Sequence, residues 1–376
     1  MDGSKMKVLH LLSGGGIGGI EMLCRDIAEL SSERNEFCFL YSGGAIADEM
    51  EGSHAIVYRL YASNMAIRLL KLLLLVRRNK YDVVIVHHEG IGIYLFYIIL
   101  TCIFRKCRYI KYLHCSYEEK YFYRGIKWKD KLNYLVLKTA ISRSSLLIAV
   151  SEFVKNTYLE EFKCDSDKMK VIYNGIRLEQ QSEFIYKTVQ ENEPVRLLYI
   201  GRLVEVKGVR LLLHAMKKLV DAGENIELEL LGDGPQREEY EQLTQKLGLG
   251  DKVRFRGYRL EKESYYDSTQ IFVYPSIWQE AFGISIVEAM AHGMLCVASR
   301  SGGIPEIIDH EVNGFLFENE NEEELIRVLQ NAIRVCRDGS WQVYVNNACE
   351  KVGRFDIRNM IDALKSCEGD IVSGRK

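Results

Sequence analysis

Ile271-Phe272-Val273-Tyr274-Pro275-Ser276-Ile277-Trp278-Gln279-Glu280-Ala281-Phe282-Gly283-Ile284-Ser285-Ile286-Val287-Glu288-Ala289-Met290 reads as a strand, a turn and a helix in succession. Residues 271–274 are short, apolar and β-rich, and Pro275 closes them; residues 284–292 have the length and composition of a helix. Glu280 therefore falls in the connecting loop, and Glu288 lies a turn further in. Between 284 and 294 Glu288 is the one carboxylate in a mostly apolar stretch. Burying it without partners is costly, so something polar must meet it, and a ribose diol would serve.

The same grammar runs along the whole chain. Strand-like runs at 8–12, 37–41, 83–86, 109–113, 146–150 and 171–173 alternate with longer amphipathic stretches, and the pattern resumes at 197–200, 228–231, 253–255, 271–274 and 295–298. Alternation of this kind predicts an α/β protein of two doubly wound parallel sheets. A length of 376 residues fits two domains. The polar segment 180–193, ending before Pro194, follows neither period and is the expected linker. We accordingly expect a first domain over 1–190, a second over 191–355, and a closing helix and tail over 356–376.

Net charge is -2, but it is unevenly spread: residues 1–190 carry 27 Lys and Arg against 21 Asp and Glu, and the remainder 23 against 31. Residues 59–143 hold 17 basic and 5 acidic side chains, interleaved with leucine-rich runs such as 69–78. That pattern resembles a membrane-surface helix more than a nucleic-acid stripe, although a packed helix with solvated cations would read similarly. The longest apolar run, 91–104, is too short to span a bilayer. Ten cysteines without a Cys-x-x-Cys pair, and a start that leads almost at once into a strand, point to a reducing, cytoplasmic setting.

In open α/β sheets ligands bind beyond the carboxyl ends of the strands. The residues that follow the expected strands are Gly14 to Gly19, His114, Ser151-Glu152, Asn174-Gly175, Gly201-Arg202, Gly232-Asp233-Gly234-Pro235, Gly257-Tyr258 and 276–280. Gly14, Gly16 and Gly19 spell G-x-G-x-x-G before a helix, with the backbone of Gly15, Gly16, Gly18 and Gly19 placed to cradle a phosphate. The ribose-binding acid that should follow the second strand is missing, yet a phosphate-cradling loop at a helix N-terminus remains the expectation, with a glycine-rich turn without a ligand as the alternative. Arg202 and Lys207 flank the start of a helix from about 208, where the helix dipole disfavours cations unless an anion lies between them.

Taken in order, the GGIE segment ending at Glu21, Val150-Ser151-Glu152-Phe153-Val154, Val171 to Ile176, Gly201-Arg202-Leu203 with Lys207-Gly208, Gly232 to Pro235, the two glutamates, and Gly302-Gly303-Ile304-Pro305-Glu306 resemble the retaining GT-B-fold glycosyltransferases of family four, across nearly the whole length. The resemblance implies two Rossmann-like domains facing across a cleft and a UDP- or GDP-sugar as donor, with no cofactor and no metal. It implies that Arg202 and Lys207 hold the donor diphosphate and stabilise the departing charge. Glu280 would meet hydroxyls of the donor sugar, the backbone of Phe282, Gly283 and Ile284 its far edge and phosphate, and Glu288 the ribose. Gly257 and Tyr258 would lie near the base, Asn174 on the donor side, and His114 by the reacting centre. The final helix would cross back to the first domain.

Arg177, Ala281 and Cys115 depart from the family pattern, and they bear on the acceptor rather than the chemistry. Asp165-Ser166-Asp167 imitates a metal-binding D-x-D but lies in a polar turn. A glycan or lipid-linked acceptor is expected on the side of the basic, leucine-rich block, at the inner face of an anionic membrane, in cell-surface polysaccharide or glycolipid assembly. Residues 117–128 would form a lid or interfacial loop. A sugar-nucleotide epimerase on the same fold, or an inactive partner of an active transferase, are the alternatives; a nicotinamide-dependent oxidoreductase fits less well.

Overall fold

The computed structural model describes residues 6–31, 34–53, 55–88, 90–117, 127–178, 189–190 and 192–374, with Arg34 and Lys127 described in backbone only. The expected lid falls almost wholly outside the described residues, and so does most of the expected linker.

The chain forms two compact units, one of residues 1–177 with 357–376, the other of 178–356. The division comes at Arg177, earlier than the expected boundary near 190. The first unit is built on seven parallel strands, β1 (Lys7–Leu12), β2 (Arg34–Phe39), β3 (Ile56–Arg59), β4 (Val83–Val86), β5 (Arg108–Leu113), β6 (Leu146–Ala149) and β7 (Met169–Val171), in the order β3-β2-β1-β4-β5-β6-β7. Its helices are α1 (Gly19–Leu30), α2 (Ala45–Gly52), α3 (Met65–Asn79), α4 (Ile91–Ile103), α5 (Lys127–Arg143) and α6 (Glu152–Phe162). Strands β4 and β6 are buried at every residue, which is why Val83 to Val86 and Leu146 to Ala149 are continuously apolar rather than alternating.

The second unit carries six strands, β8 (Val195–Ile200), β9 (Ile226–Leu231), β10 (Val253–Gly257), β11 (Ile271–Tyr274), β12 (Leu295–Arg300) and β13 (Phe315–Glu318), in the order β10-β9-β8-β11-β12-β13. Helices α7 (Val209–Asp221), α8 (Arg237–Lys246), α9 (Glu263–Ser268), α10 (Ile284–Ala291), α11 (Glu322–Asp338) and α12 (Trp341–Val352) belong to it. Both sheets are Rossmann-like and doubly wound, and each reverses its strand order once, between β1 and β4 and between β8 and β11.

The last helix, α13 (Ile357–Ser373), belongs to the first unit, where the N–H of Ile357 donates to the carbonyl of Ile176 at 2.9 Å. Two strands had no counterpart in the sequence reading. β3 is an edge strand whose residues are only partly buried, and β13 has four residues with none of the flanking length that marks a strand. β2 begins three residues before the expected 37 and ends at Phe39, since Leu40 already turns toward the next helix.

Candidate active site

At the order reversal of the second sheet, the loops after β8, β9, β11 and β12 are laced by their backbones. Gly208 takes a left-handed conformation (φ 70°), and a Cβ there would come 1.8 Å from the carbonyl oxygen of Pro275. Only glycine lets the turn that carries Lys207 lie against the end of β11. The N–H groups of Ile277 and Trp278 both donate to the Val206 carbonyl, at 3.0 and 3.1 Å. Leu203 N–H donates to the Asp233 carbonyl at 2.9 Å, and a Cβ at Gly232 would lie 1.9 Å from the Gly201 carbonyl.

That lacing brings Lys207 and Glu280 together. The Lys207 ammonium lies 2.5 Å from Glu280 Oε1 and donates to the Tyr274 hydroxyl at 3.2 Å, while Ser276 Oγ–H donates to the same carboxylate oxygen at 2.5 Å. Both charged side chains are largely buried. Glu280 is held from behind by the glycines of the 302–306 loop: Gly303 N–H donates to the Glu280 carbonyl at 2.7 Å, and Gly302 (φ 58°) would put a Cβ 2.1 Å from that oxygen. Burial pushes the Tyr274 phenol up, with the Glu280 charge second, so it stays a neutral hydrogen-bonding group. The anion that the helix-dipole argument demanded beside Lys207 is therefore supplied by the protein itself. Arg202 differs: it is exposed, and its guanidinium has no ion pair among the described residues.

Glu288 does not share this cluster. Its Oε2 accepts from Lys262 Nζ at 2.7 Å and from the Tyr266 hydroxyl at 2.9 Å, so the carboxylate has polar partners within its own unit. Sequence reasoning missed Lys262, Tyr266 and Tyr274, none of which stands at a spacing that pairs it with either glutamate; it placed Ser276 at the strand end without a role. Gly283 (φ 119°) opens α10 without a side-chain cap, and the first N–H groups of a helix have no intrahelical acceptor. Phe282 is buried edge-to-face on Phe355, ring centroids 5.3 Å apart. Gly257 is left-handed at the end of β10, and Tyr258 beyond it is 51% exposed.

In the first unit the glycine loop after β1 packs tightly. A Cβ on Gly15 would lie 2.5 Å from that of Ala47, and the Gly15 carbonyl accepts from Ile46 N–H at 3.1 Å, at the start of α2. A Cβ on Gly16 would meet nothing within 4 Å, and Gly18 and Gly19 open α1. Glu21, in the first turn of α1, faces His88 Nε2 at 3.2 Å. Asn174 is buried, with its Oδ1 unpartnered among the described residues. His114, after β5, touches His87 (Nε2 to Nδ1, 3.1 Å), and burial lowers the pKa of both rings. Arg177 binds α1, donating to Asp26 Oδ1 at 2.8 Å and to Glu29. Of the imitation metal motif, Asp165 caps the turn that follows, accepting from Asp167 N–H at 3.0 Å, and all three residues are exposed.

The model of glycosyltransferase family 4 matches residues 17–180, and that of glycosyl transferases group 1 matches 180–335. The chain belongs to these glycosyltransferases. An uncharacterized glycosyltransferase of Methanocaldococcus jannaschii is 29% identical over 364 residues, covering 89% of each chain. The amylovoran biosynthesis glycosyltransferase AmsK of Erwinia amylovora is 27% identical over 195 residues, 50% of this chain and 47% of that one. Among solved structures, Anabaena HepE in complex with UDP and glucose superposes with a TM-score of 0.81 at 23% identity, covering 97% of this chain and 100% of that one, a likeness that shows the GT-B fold. The glycosyltransferase is thus two Rossmann-like units, with Lys207 and Glu280 at the order reversal of the second.

Proposed function

We propose that this glycosyltransferase moves a sugar, with retention of anomeric configuration and without a metal, from a UDP- or GDP-sugar to a hydroxyl of a glycan or lipid-linked acceptor. The observation that carries the proposal is the buried Lys207–Glu280 pair, with Arg202 exposed and unpaired on the same loop. Arg202 and Lys207 bind the diphosphate and stabilise the charge that builds on it as the glycosidic bond breaks. Glu280 reads the donor sugar's hydroxyls, Glu288 with Lys262 anchors the ribose, and the amides at 282–284 meet phosphate and sugar. Gly257 and Tyr258 border the base; Gly15, Gly16, Gly18, Gly19 and Asn174 complete the donor side, and His114 accepts a hydroxyl at the reacting centre. HepE holds UDP and glucose, which favours a uridine nucleotide.

Glu280 is hydrogen-bonded by an ammonium and a hydroxyl on one oxygen, which suits a hydroxyl reader better than a nucleophile; front-face attack, with the departing phosphate taking the acceptor's proton, follows. The acceptor is assigned to cell-surface polysaccharide or glycolipid assembly; AmsK, one of the relatives, is named for amylovoran biosynthesis.

A membrane-surface reading at the cytoplasmic face has its own support. On α3, Ile67, Leu70 and Leu74 are 49, 56 and 57% exposed, and on α5, Trp128, Leu132 and Leu135 are 67, 51 and 59% exposed. Spacings of i, i+3, i+7 and i, i+4, i+7 align each set into one apolar stripe. Lys71, Arg77, Arg78, Lys129, Lys131 and Lys138 stand on the same two helices, the composition of an interfacial helix. Among the described residues no helix is long and apolar enough to cross a membrane.

Incubation with labelled UDP- and GDP-sugars, with and without a membrane extract and with chelator present, tests the reading. Label passing to the extract with chelator present is expected. An epimerised nucleotide sugar formed without acceptor, or activity lost to chelator and restored by manganese, would overturn it.

A further inference from the structure

Four polar side chains of the first unit form an unbroken hydrogen-bonded line across its sheet. Asn35 on β2 is followed by His10 on β1 (Oδ1 to Nε2, 3.2 Å), by His87 just past β4 (Nδ1 to Nε2, 2.8 Å), and by His114 just past β5 (Nδ1 to Nε2, 3.1 Å). The line visits strands in their spatial order β2-β1-β4-β5 and crosses the order reversal. It follows from the register. Asn35 lies opposite Val8, two residues before His10, and His10 lies opposite Ile85, two before His87. Ile85 in turn lies opposite Ile110, four before His114. Each step advances two residues, so every ring stays on one face while the line climbs to the carboxyl edge, where ligands bind. The rings also stack, His10 on His87 at 5.1 Å and His87 on His114 at 5.3 Å.

We propose that Asn35, His10 and His87 are positioning residues that set the tautomer of His114, so that it presents its Nδ1 lone pair to a substrate hydroxyl. An amide oxygen can only accept, so His10 carries its proton on Nε2 and offers Nδ1 as acceptor. His87 then donates from Nε2 to His10, and His114 donates from Nε2 to His87. One acceptor at the far end therefore orders three neutral rings, and Nδ1 of His114, with no partner among the described residues, is left as a lone pair. Burial, the main cause in all three, keeps the rings neutral, with His10 lowered to about 4 and Lys111 an added cation beside His87 and His114. The Cys24 thiol lies with the His10 and His87 nitrogens inside 4.8 Å, a set of metal-ligand types. Burial pushes that thiol up, away from the thiolate a metal needs, and the two nitrogens share a proton.

The proposal rests on the reading of His114 as a substrate contact, and the test separates the two. Long-range proton–nitrogen spectra of 15N-histidine-labelled protein report each ring's tautomer without donor or turnover, with His114 assigned from the His114→Gln variant. In the native protein His114 is expected as the Nε2–H form. Asn35→Leu, or Asn35→Ala if that variant folds poorly, removes the terminal acceptor, and the His114 resonances should shift to a mixture of both forms. Asn35→Asp keeps an acceptor and should restore the native pattern. Unchanged His114 resonances in folded Asn35→Leu and Asn35→Ala, or stoichiometric zinc held by His10 and His87 in the purified protein, would overturn the relay. In turnover, Asn35→Leu is expected to lower kcat about fivefold with donor KM unchanged, the ratio that one neutral hydrogen bond supplies. A tautomer shift without any change in kcat would leave the relay standing and remove His114 from the reacting centre.

Discussion

Lys207 and Glu280 show how a charge pair works when most of it is withdrawn from water. Replacing Lys207 by Met leaves a buried carboxylate with only the Ser276 and Tyr274 hydroxyls beside it, and breaking a buried pair from one side costs about 3 kcal/mol. Urea titration should show that loss, and Lys207→Met/Glu280→Gln should recover part of it. Transfer activity in Lys207→Met should fall by about a hundredfold or more, the effect of removing one preorganised donor at a developing charge. The histidine line gives a second expectation at this scale. His10 titrates near 4 when folded against 6.5 unfolded, and burial lowers His87 and His114 as well, with His10, His88, His114 and Lys111 around His87 adding repulsion. From 6.5 down toward 4 the unfolded chain binds protons that the folded one refuses. Stability is therefore intact above 6.5 and falls with pH through that window, by up to about 1.4 kcal/mol per pH unit per histidine. Urea midpoints between pH 7 and 5 should drop steeply in the native protein, and the slope should be shallower in His10→Gln.

Helices α3 and α5 expose apolar stripes that the sheet behind them does not need. On α3 only Leu72 and Val76 are buried, so Leu70 and Leu74 add little to the fold. Leu70→Glu/Leu74→Glu with Leu132→Glu should leave thermal stability nearly unchanged while cutting binding to anionic vesicles at least tenfold at low salt. Co-sedimentation with phosphatidylserine-containing vesicles measures it, and equal binding by the variant would remove these stripes from the membrane reading. The first stripe was legible as a leucine-rich basic run. The second was not, because only the helical start at Lys127 shows that Trp128, Leu132 and Leu135 share a side; read without it, Trp128 belongs with the aromatic residues before it.

The chain as a whole builds one unit, builds a second and returns to the first. Helix α13 buries Ile357, Met360, Ile361, Leu364 and Cys367, and each buried apolar side chain of this size contributes about 1.5 to 3 kcal/mol relative to exposure. Truncation after Asp356 should therefore lower the unfolding temperature of the first unit while that of the second stays in place, giving two separated calorimetric transitions. A single transition lowered as a whole would show that the two units unfold together.

The alternation of strands and helices, the strand-turn-helix of 271–290 and the glycines at 208, 232 and 302 are local properties, and the sequence by itself determined from them the α/β class, the family and the loops that bear the candidate site. Tertiary structure alone decided which side chains meet. The ammonium beside Glu280 comes from 73 residues away, the lysine on Glu288 from 26, and His87 lies 77 residues from His10 and 27 from His114. Strand order and register set those meetings. Both arise from hydrogen bonding between strands distant in sequence, which no local period or propensity encodes.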